Sequence, residues 1–181
     1  MKICVDPGHG MSNATLGVFD PGAVHNASAT READVVLAYG LELRSILQAR
    51  GIEVFMTREN ATSPTPVGKR ASRAKAANCD SFVSIHLNSF SSSSANGVEA
   101  LYRDDPDEQL ATDMRDALVA ATGLKARSIK KRPDLAVLTF DGPAVLLEVG
   151  FVSNTTDRTT VLKPSVQTAI CTAVADVLQG T

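Results

Sequence analysis

Apolar residues fall along this chain in short runs that stop at polar or turn-forming residues, alternating with longer stretches where they recur every three or four positions. The first run, Lys2-Ile3-Cys4-Val5, ends in Asp6-Pro7-Gly8-His9-Gly10 and reads as a buried strand closed by a tight turn. Val36, Tyr39, Leu43, Ile46 and Leu47 mark one face of a helix from about Arg31 to Arg50, with Gly51 as its C-cap. Glu53 to Thr57 is a short strand. Beyond the breaker segment Thr62-Ser63-Pro64-Thr65-Pro66, Val67 to Asn78 reads as a basic, Ala-rich helix that delivers the chain to a second apolar strand, Ser81 to His86. Val98 to Tyr102 is a further strand, and Leu110, Met114, Leu118 and Ala121 define a helix that Gly123 stops. Ala136 to Leu138 reads as a short strand. Ala144 to Glu148 is apolar until its last residue, the pattern of a strand buried on both faces in a parallel sheet. A short helix over Asn154 to Leu162 and a last one from about Pro164 to Leu178 complete an alternating α/β pattern without internal repeats.

Three stretches carry no such periodicity. Met11 to Arg31, rich in Ser, Asn, Gly and Ala and containing Asp20-Pro21-Gly22, is expected to be a loop, and loops of this length in compact domains are usually functional or disordered. Asn88 to Asn96 is Ser-rich and is expected to be a mobile loop bordering the site beside it. Lys125 to Asp134 holds five of the 18 Lys and Arg residues and reads as an exposed connection.

Length and composition narrow the picture further. At 181 residues the chain is sized for one domain, 1–181, and its 44% hydrophobic and 21% charged residues are ordinary globular composition. No apolar run approaches the roughly 18 residues of a membrane span, so a soluble protein is expected. A net charge of -2 argues against nucleic acid as a partner, because binding phosphates takes a surplus of Lys and Arg. The chain opens almost directly on a strand, so no cleavable signal is expected and the protein is placed in the cytoplasm. Cys4, Cys79 and Cys171 form no C-x-x-C pair and read as small buried hydrophobes. A Cys–His hydrolase built on Cys79 is the rival, but no histidine lies near it in sequence.

The candidate chemistry sits at strand ends. Two of the three histidines, His9 and His86, occupy matching positions after apolar runs, while His25 lies in the polar loop. If their strands and that of Glu148 are neighbours, all three residues converge on one sheet edge, where open α/β sheets keep their sites. His86 alone could equally be a core histidine bonded to backbone. A carboxylate directly after four apolar residues needs a partner, and for Glu148 that could be a metal, a metal-activated water, or an arginine such as Arg31, Arg58 or Arg70. Glu32 opens the first long helix, where the helix dipole favours a carboxylate. Yet a loop running from His9 to Glu32 can also fold back and bring both to one metal. Two imidazoles and a carboxylate with an open fourth position form the ligand set of hydrolytic zinc sites. No H-E-x-x-H, G-x-S-x-G or Walker loop is present.

Asp6-Pro7-Gly8-His9-Gly10, Glu32 opening a helix, Ser84-Ile85-His86-Leu87-Asn88 and Leu147-Glu148-Val149-Gly150-Phe151-Val152-Ser153-Asn154 together resemble, in order and spacing, the zinc-dependent N-acetylmuramoyl-L-alanine amidases of the Amidase_3 type. Asp20-Pro21-Gly22-Ala23 also looks like that family's loop, whereas Met11 stands where the family often has another glycine. The resemblance covers essentially the whole chain. It implies a twisted, mostly parallel six-stranded sheet flanked by helices, with His9, Glu32 and His86 binding zinc and Glu148 as the catalytic glutamate. It further implies peptidoglycan as the substrate; a monomer is expected, with neither nucleic acid nor membrane as partner. Without wall-binding repeats, the chain looks more like a phage lytic enzyme stored in the cytoplasm until lysis. The rivals are a zinc peptidase cutting within the stem peptide and a wall-binding module that has lost catalysis.

Overall fold

The computed structural model describes residues 1–180. Strand β1 (Lys2–Pro7) runs into the long loop, which is not structureless as expected. It holds two small antiparallel ladders, β2 (Gly10–Met11) with β3 (Phe19–Asp20) and β4 (Val24–His25) with β5 (Thr30–Arg31). Then come α1 (Glu32–Ala49), β6 (Glu53–Met56), α2 (Arg70–Ala76) and β7 (Ser81–Asn88). The second half adds β8 (Glu99–Tyr102), α3 (Glu108–Thr122), β9 (Lys130–Lys131), β10 (Ala144–Phe151), α4 (Thr155–Val161) and α5 (Pro164–Gln179).

Six strands form one sheet in the order β6-β1-β7-β10-β8-β9, parallel throughout except where β8 meets β10. This is the expected α/β class. Two details differ. Ala136 to Thr139 forms a 3-10 turn rather than a strand, with Val137 and Leu138 buried against Phe82 and Leu146. The basic stretch supplies the edge strand β9, which no apolar pattern announces because both its residues are exposed. Alternation along each strand divides the core. Ile3, Val5, Val83, Ile85, Leu147 and Val149 face a layer of α1, α3 and α5, whereas Cys4, Phe82, Ala144 and Leu146 face α2 and the 3-10 turn. Cys4 and Cys171 are buried as expected, whereas Cys79 is only half-buried at the edge of the second cluster.

The turn after β1 is held by two arginines that the sequence offers as partners for Glu148. Arg58 is 2% exposed and donates to the carbonyls of Pro7 (3.0 Å), Gly8 (2.7 Å) and Ala33 (2.7 Å). Arg70, 1% exposed, reaches Pro7 O, His9 O (2.7 Å) and Asn13 Oδ1 (2.8 Å), and pairs at 2.8 Å with Asp6. Asp6 also accepts from Thr57 and Ser84. Burial opposes its charge, but Arg70 and the two hydroxyls outweigh that and hold the carboxyl below its usual range. Removing either partner of such a buried pair strands a charge, at about 3–5 kcal/mol. The two arginines together also explain how His9 keeps φ 60°, a left-handed conformation unusual for a residue with a side chain: Arg58 grips the Gly8 carbonyl and Arg70 that of His9.

Candidate metal and catalytic site

His9 follows β1, His86 lies on β7 and Glu148 on β10, so the three strand ends meet as neighbours in the sheet. His86 and Glu148 are direct partners in the β7–β10 register. Glu32, the first residue of α1, is brought to them by the folded-back loop, since Glu32 N donates to Ala23 O and Ala33 N to Pro21 O. Its dipole position and its place in the cluster are therefore both real. One ligand atom each from His9, Glu32 and His86 lies within 4.8 Å of the others. Glu32 Oε1 sits 3.1 Å from His9 Nε2 and 2.9 Å from His86 Nδ1, and also accepts from Leu87 N, while Oε2 accepts from Ala23 N at 2.8 Å. The imidazoles meet edge to face, with ring centroids 4.9 Å apart.

Charge follows from this packing. Burial alone would raise the Glu32 pKa, but the hydrogen bonds of His86 and His9 hold it far below the usual carboxylate range. For His9 burial works downward and is outweighed by Glu32 and Asp20, so its pKa rises. Glu148 goes the other way. Burial and repulsion from Glu32 and Glu99 push its carboxyl well above the ordinary 4.5, against the weaker pull of Lys130 and Arg132. Its Oε2 is shut off from solvent and has no hydrogen-bond partner among the described residues. None of the arginines suggested as its mate reaches it: Arg58 and Arg70 are committed to the β1 turn and Arg31 to Asp34.

All four residues line one cleft of about 310 Å³, together with Asn88, Ser89 and Arg132. The Ser-rich stretch thus borders it as expected. His25 bonds to Ser28 and takes no part, and no cysteine lines the cleft. Glycines fix how closely the parts approach. A Cβ on Gly8 would fall 2.2 Å from His86 Cε1, and one on Gly22 would lie 2.6 Å from Glu32 Oε2 and 2.7 Å from His9 Cδ2. Just beyond Glu148 the register of β10 slips, a bulge at the site edge where Gly150 adopts φ 154°.

Sequence reasoning missed Asp20. Its Oδ2 accepts from His9 Nδ1 at 2.9 Å and Asn13 Nδ2 at 2.6 Å, and its Oδ1 from Gly22 N at 2.8 Å. A carboxylate accepts only, so the proton on His9 Nδ1 is fixed and Nε2 faces Glu32. The one available signal was the turn-forming Asp20-Pro21-Gly22 inside a loop bounded by two candidate ligands. Asp20→Ala is expected to weaken zinc binding by about 10- to 100-fold, measured by competition with a chromophoric chelator. Unchanged affinity would reduce Asp20 to a loop-closing residue.

Comparison with known proteins agrees with this geometry. Residues 3–180 match the Amidase_3 family model, described as N-acetylmuramoyl-L-alanine amidase. The chain is 35% identical over 161 residues to the probable cell wall amidase LytH of Staphylococcus aureus, and 32% identical over 159 residues to that of Staphylococcus epidermidis. Those matches take in 88% of this chain and 50% of each relative, so the chain spans about half the length of these curated relatives. Among solved structures, it is similar to the catalytic domain of CwlV, an N-acetylmuramoyl-L-alanine amidase from Bacillus (Paenibacillus) polymyxa, with TM-score 0.88, 32% identity and coverage of 99% of this chain and 96% of that one. An N-acetylmuramoyl-L-alanine amidase from Clostridium difficile 630 superposes with TM-score 0.89 at 25% identity, covering 99% and 95%.

Proposed function

Because the chain belongs to the Amidase_3 family of N-acetylmuramoyl-L-alanine amidases, we propose that it hydrolyses the amide joining N-acetylmuramic acid to the L-alanine of the peptidoglycan stem peptide, as a zinc enzyme and a monomer. The observation that carries this is a buried carboxylate oxygen of Glu148 without a hydrogen-bond partner among the described residues, in the same cleft as a converged His–Glu–His cluster.

The donor set fits zinc. Two imidazole nitrogens and one carboxylate oxygen from His9, His86 and Glu32 are the type and number of protein ligands found in hydrolytic zinc sites, which keep one position open. When bound, zinc supplies Lewis acidity that polarises an amide carbonyl and lowers the pKa of water toward neutrality. The chain's own residues do the rest. Asp20 holds His9 in one tautomer. The positive charge of the metal would offset that of Glu32, one of the two carboxylates that repel charge on Glu148. Glu148, ionised, takes the proton of the attacking water and returns one to the departing alanine nitrogen.

Mass spectrometry of peptidoglycan digested by the zinc-loaded chain tests the assignment: stem peptides with new alanine amino termini and intact muramic acid are expected. Cuts confined to bonds within the peptide would replace the amidase by a zinc peptidase, and no release by a chain that still sediments with walls would leave a binding module. The narrower setting is host lysis in a phage cycle by a chain held in the cytoplasm. It requires that cells making the protein lyse only once the inner membrane is permeabilised, and lysis without permeabilisation would overturn it.

A further inference from the structure

One strand beyond Glu148, on the same face of the sheet, lies a charged cluster that neither the proposed metal site nor the hydrolysis uses. His86, Glu148 and Glu99 are cross-strand partners on β7, β10 and β8, so their side chains form a row across the sheet with adjacent strands about 5 Å apart. Glu99 is 2% exposed, and its two oxygens are taken by Arg127 Nε and, at 2.8 Å, by Lys130 Nζ. Two cations thus stand against one buried carboxylate.

Neither cation is saturated. Arg127 uses Nε on Glu99 and Nη1 on Asn96 O, leaving Nη2 without a hydrogen-bond partner among the described residues, while its guanidinium lies 5.0 Å over the Phe151 ring. Lys130 engages one acceptor and keeps the rest of its three ammonium donors for another. Both line a cleft of about 210 Å³ with Asn88, Phe90 and Phe151. Asn88 lines the catalytic cleft as well, so the two adjoin across it, and Phe90, 62% exposed, stands at the lip.

We propose that Arg127 and Lys130 form a carboxylate-binding subsite that recognises a free carboxylate on the second residue of the stem peptide. This rests on the amidase reading for the direction of the substrate, and it adds a recognition element that the metal and Glu148 do not provide. The spacing agrees. With the scissile amide at Glu148 and the peptide laid along this row toward β8, an extended peptide advances about 3.3–3.6 Å per residue, so the second residue after the cut reaches over the neighbouring strand and its cations. A carboxylate there meets a surplus positive charge and unused N–H donors; a carboxamide meets the same donors without the charge. Phe90 and the stacked Arg127 would cover the aliphatic part of that residue.

The test compares two free tripeptides, L-Ala-γ-D-Glu-L-Lys with the glutamate α-carboxylate free or amidated, by NMR titration of the full chain, and the corresponding N-acetylmuramoyl tripeptides as substrates. The carboxylate form is expected to bind about 10- to 100-fold more tightly, the range of a charge-assisted hydrogen bond, with the gap shrinking at high salt. Lys130→Met, which leaves Glu99 paired with Arg127, should remove most of the preference by weakening the carboxylate form far more than the amide form. Arg127→Lys, which keeps the charge but not the fork, should retain part of it. Equal binding of both peptides by the parent chain, binding of neither, or equal weakening of both by Lys130→Met would overturn the subsite. The parent-chain comparison stands even if a variant misfolds. Failure of the zinc-loaded chain to cut either muramoyl substrate, with the peptide preference intact, would overturn the amidase reading and leave the subsite.

Discussion

Replacing Glu148 by Gln is expected to lower amide hydrolysis by about 100- to 10,000-fold, the usual loss on removing a general base, while zinc content and fold persist. The amide is nearly isosteric, and the His9, Glu32 and His86 donors converge without Glu148. A second effect follows from the same burial. In the metal-free protein the folded state retains a proton on Glu148 that the unfolded chain releases above about pH 4.5. Proton binding is then greater in the folded state, so stability falls as pH rises from that value toward the raised folded pKa. Gln carries no such loss. Calorimetry in a chelator should find metal-free Glu148→Gln melting above the parent at pH 8, with the two converging near pH 4. A variant that hydrolyses walls at the parental rate would make Glu148 structural. One that loses zinc would make it a ligand and leave Glu32 as the candidate base.

His86→Ala should cost the metal itself. Zinc held by four ligands in small structural sites is bound by about 10–16 kcal/mol in all, roughly 3 kcal/mol per ligand, so the loss of one imidazole should weaken binding on the order of 100- to 1,000-fold. Activity should fall with occupancy. The same change takes a donor from Glu32, 3% exposed, and leaves space over Gly8, so some stability should go as well. Elemental analysis after dialysis checks the outcome, with His25→Ala, remote from the cleft and bonded to Ser28, keeping its zinc as the control. Full zinc occupancy in His86→Ala would sink the ligand assignment.

The chain displays some of this openly and hides the rest for identifiable reasons. β1, β7 and β10 are buried on both faces and therefore appear as largely apolar runs, so their ends, and with them His9, His86 and Glu148, are legible in the amino-acid sequence. β9 is not, because an exposed edge strand is defined by its pairing with Leu101 and Tyr102 rather than by its own side chains. The 3-10 turn at Ala136 to Thr139 is apolar enough to imitate a strand, and only its packing separates the two. Arg58 and Arg70 are hidden because a buried arginine shows itself by the carbonyls it satisfies, and those belong to residues distant in sequence. Asp20 is hidden in the same way: its meaning lies in the imidazole it meets.

The strand order also sets a timetable during synthesis. β7 lies between β1, made long before it, and β10, made long after, so a nascent chain that has delivered His86 already carries all three clustered donors while one edge of β7 still lacks its neighbour. At about 5–20 residues per second, that interval before Glu148 emerges lasts on the order of seconds. Through it the half-made protein exposes an apolar, unpaired strand edge of the kind that invites association. Arrival of β10 then closes the edge and supplies Glu148 in a single event, so a polypeptide cut short in this interval would carry the three clustered donors yet lack the glutamate proposed as the base.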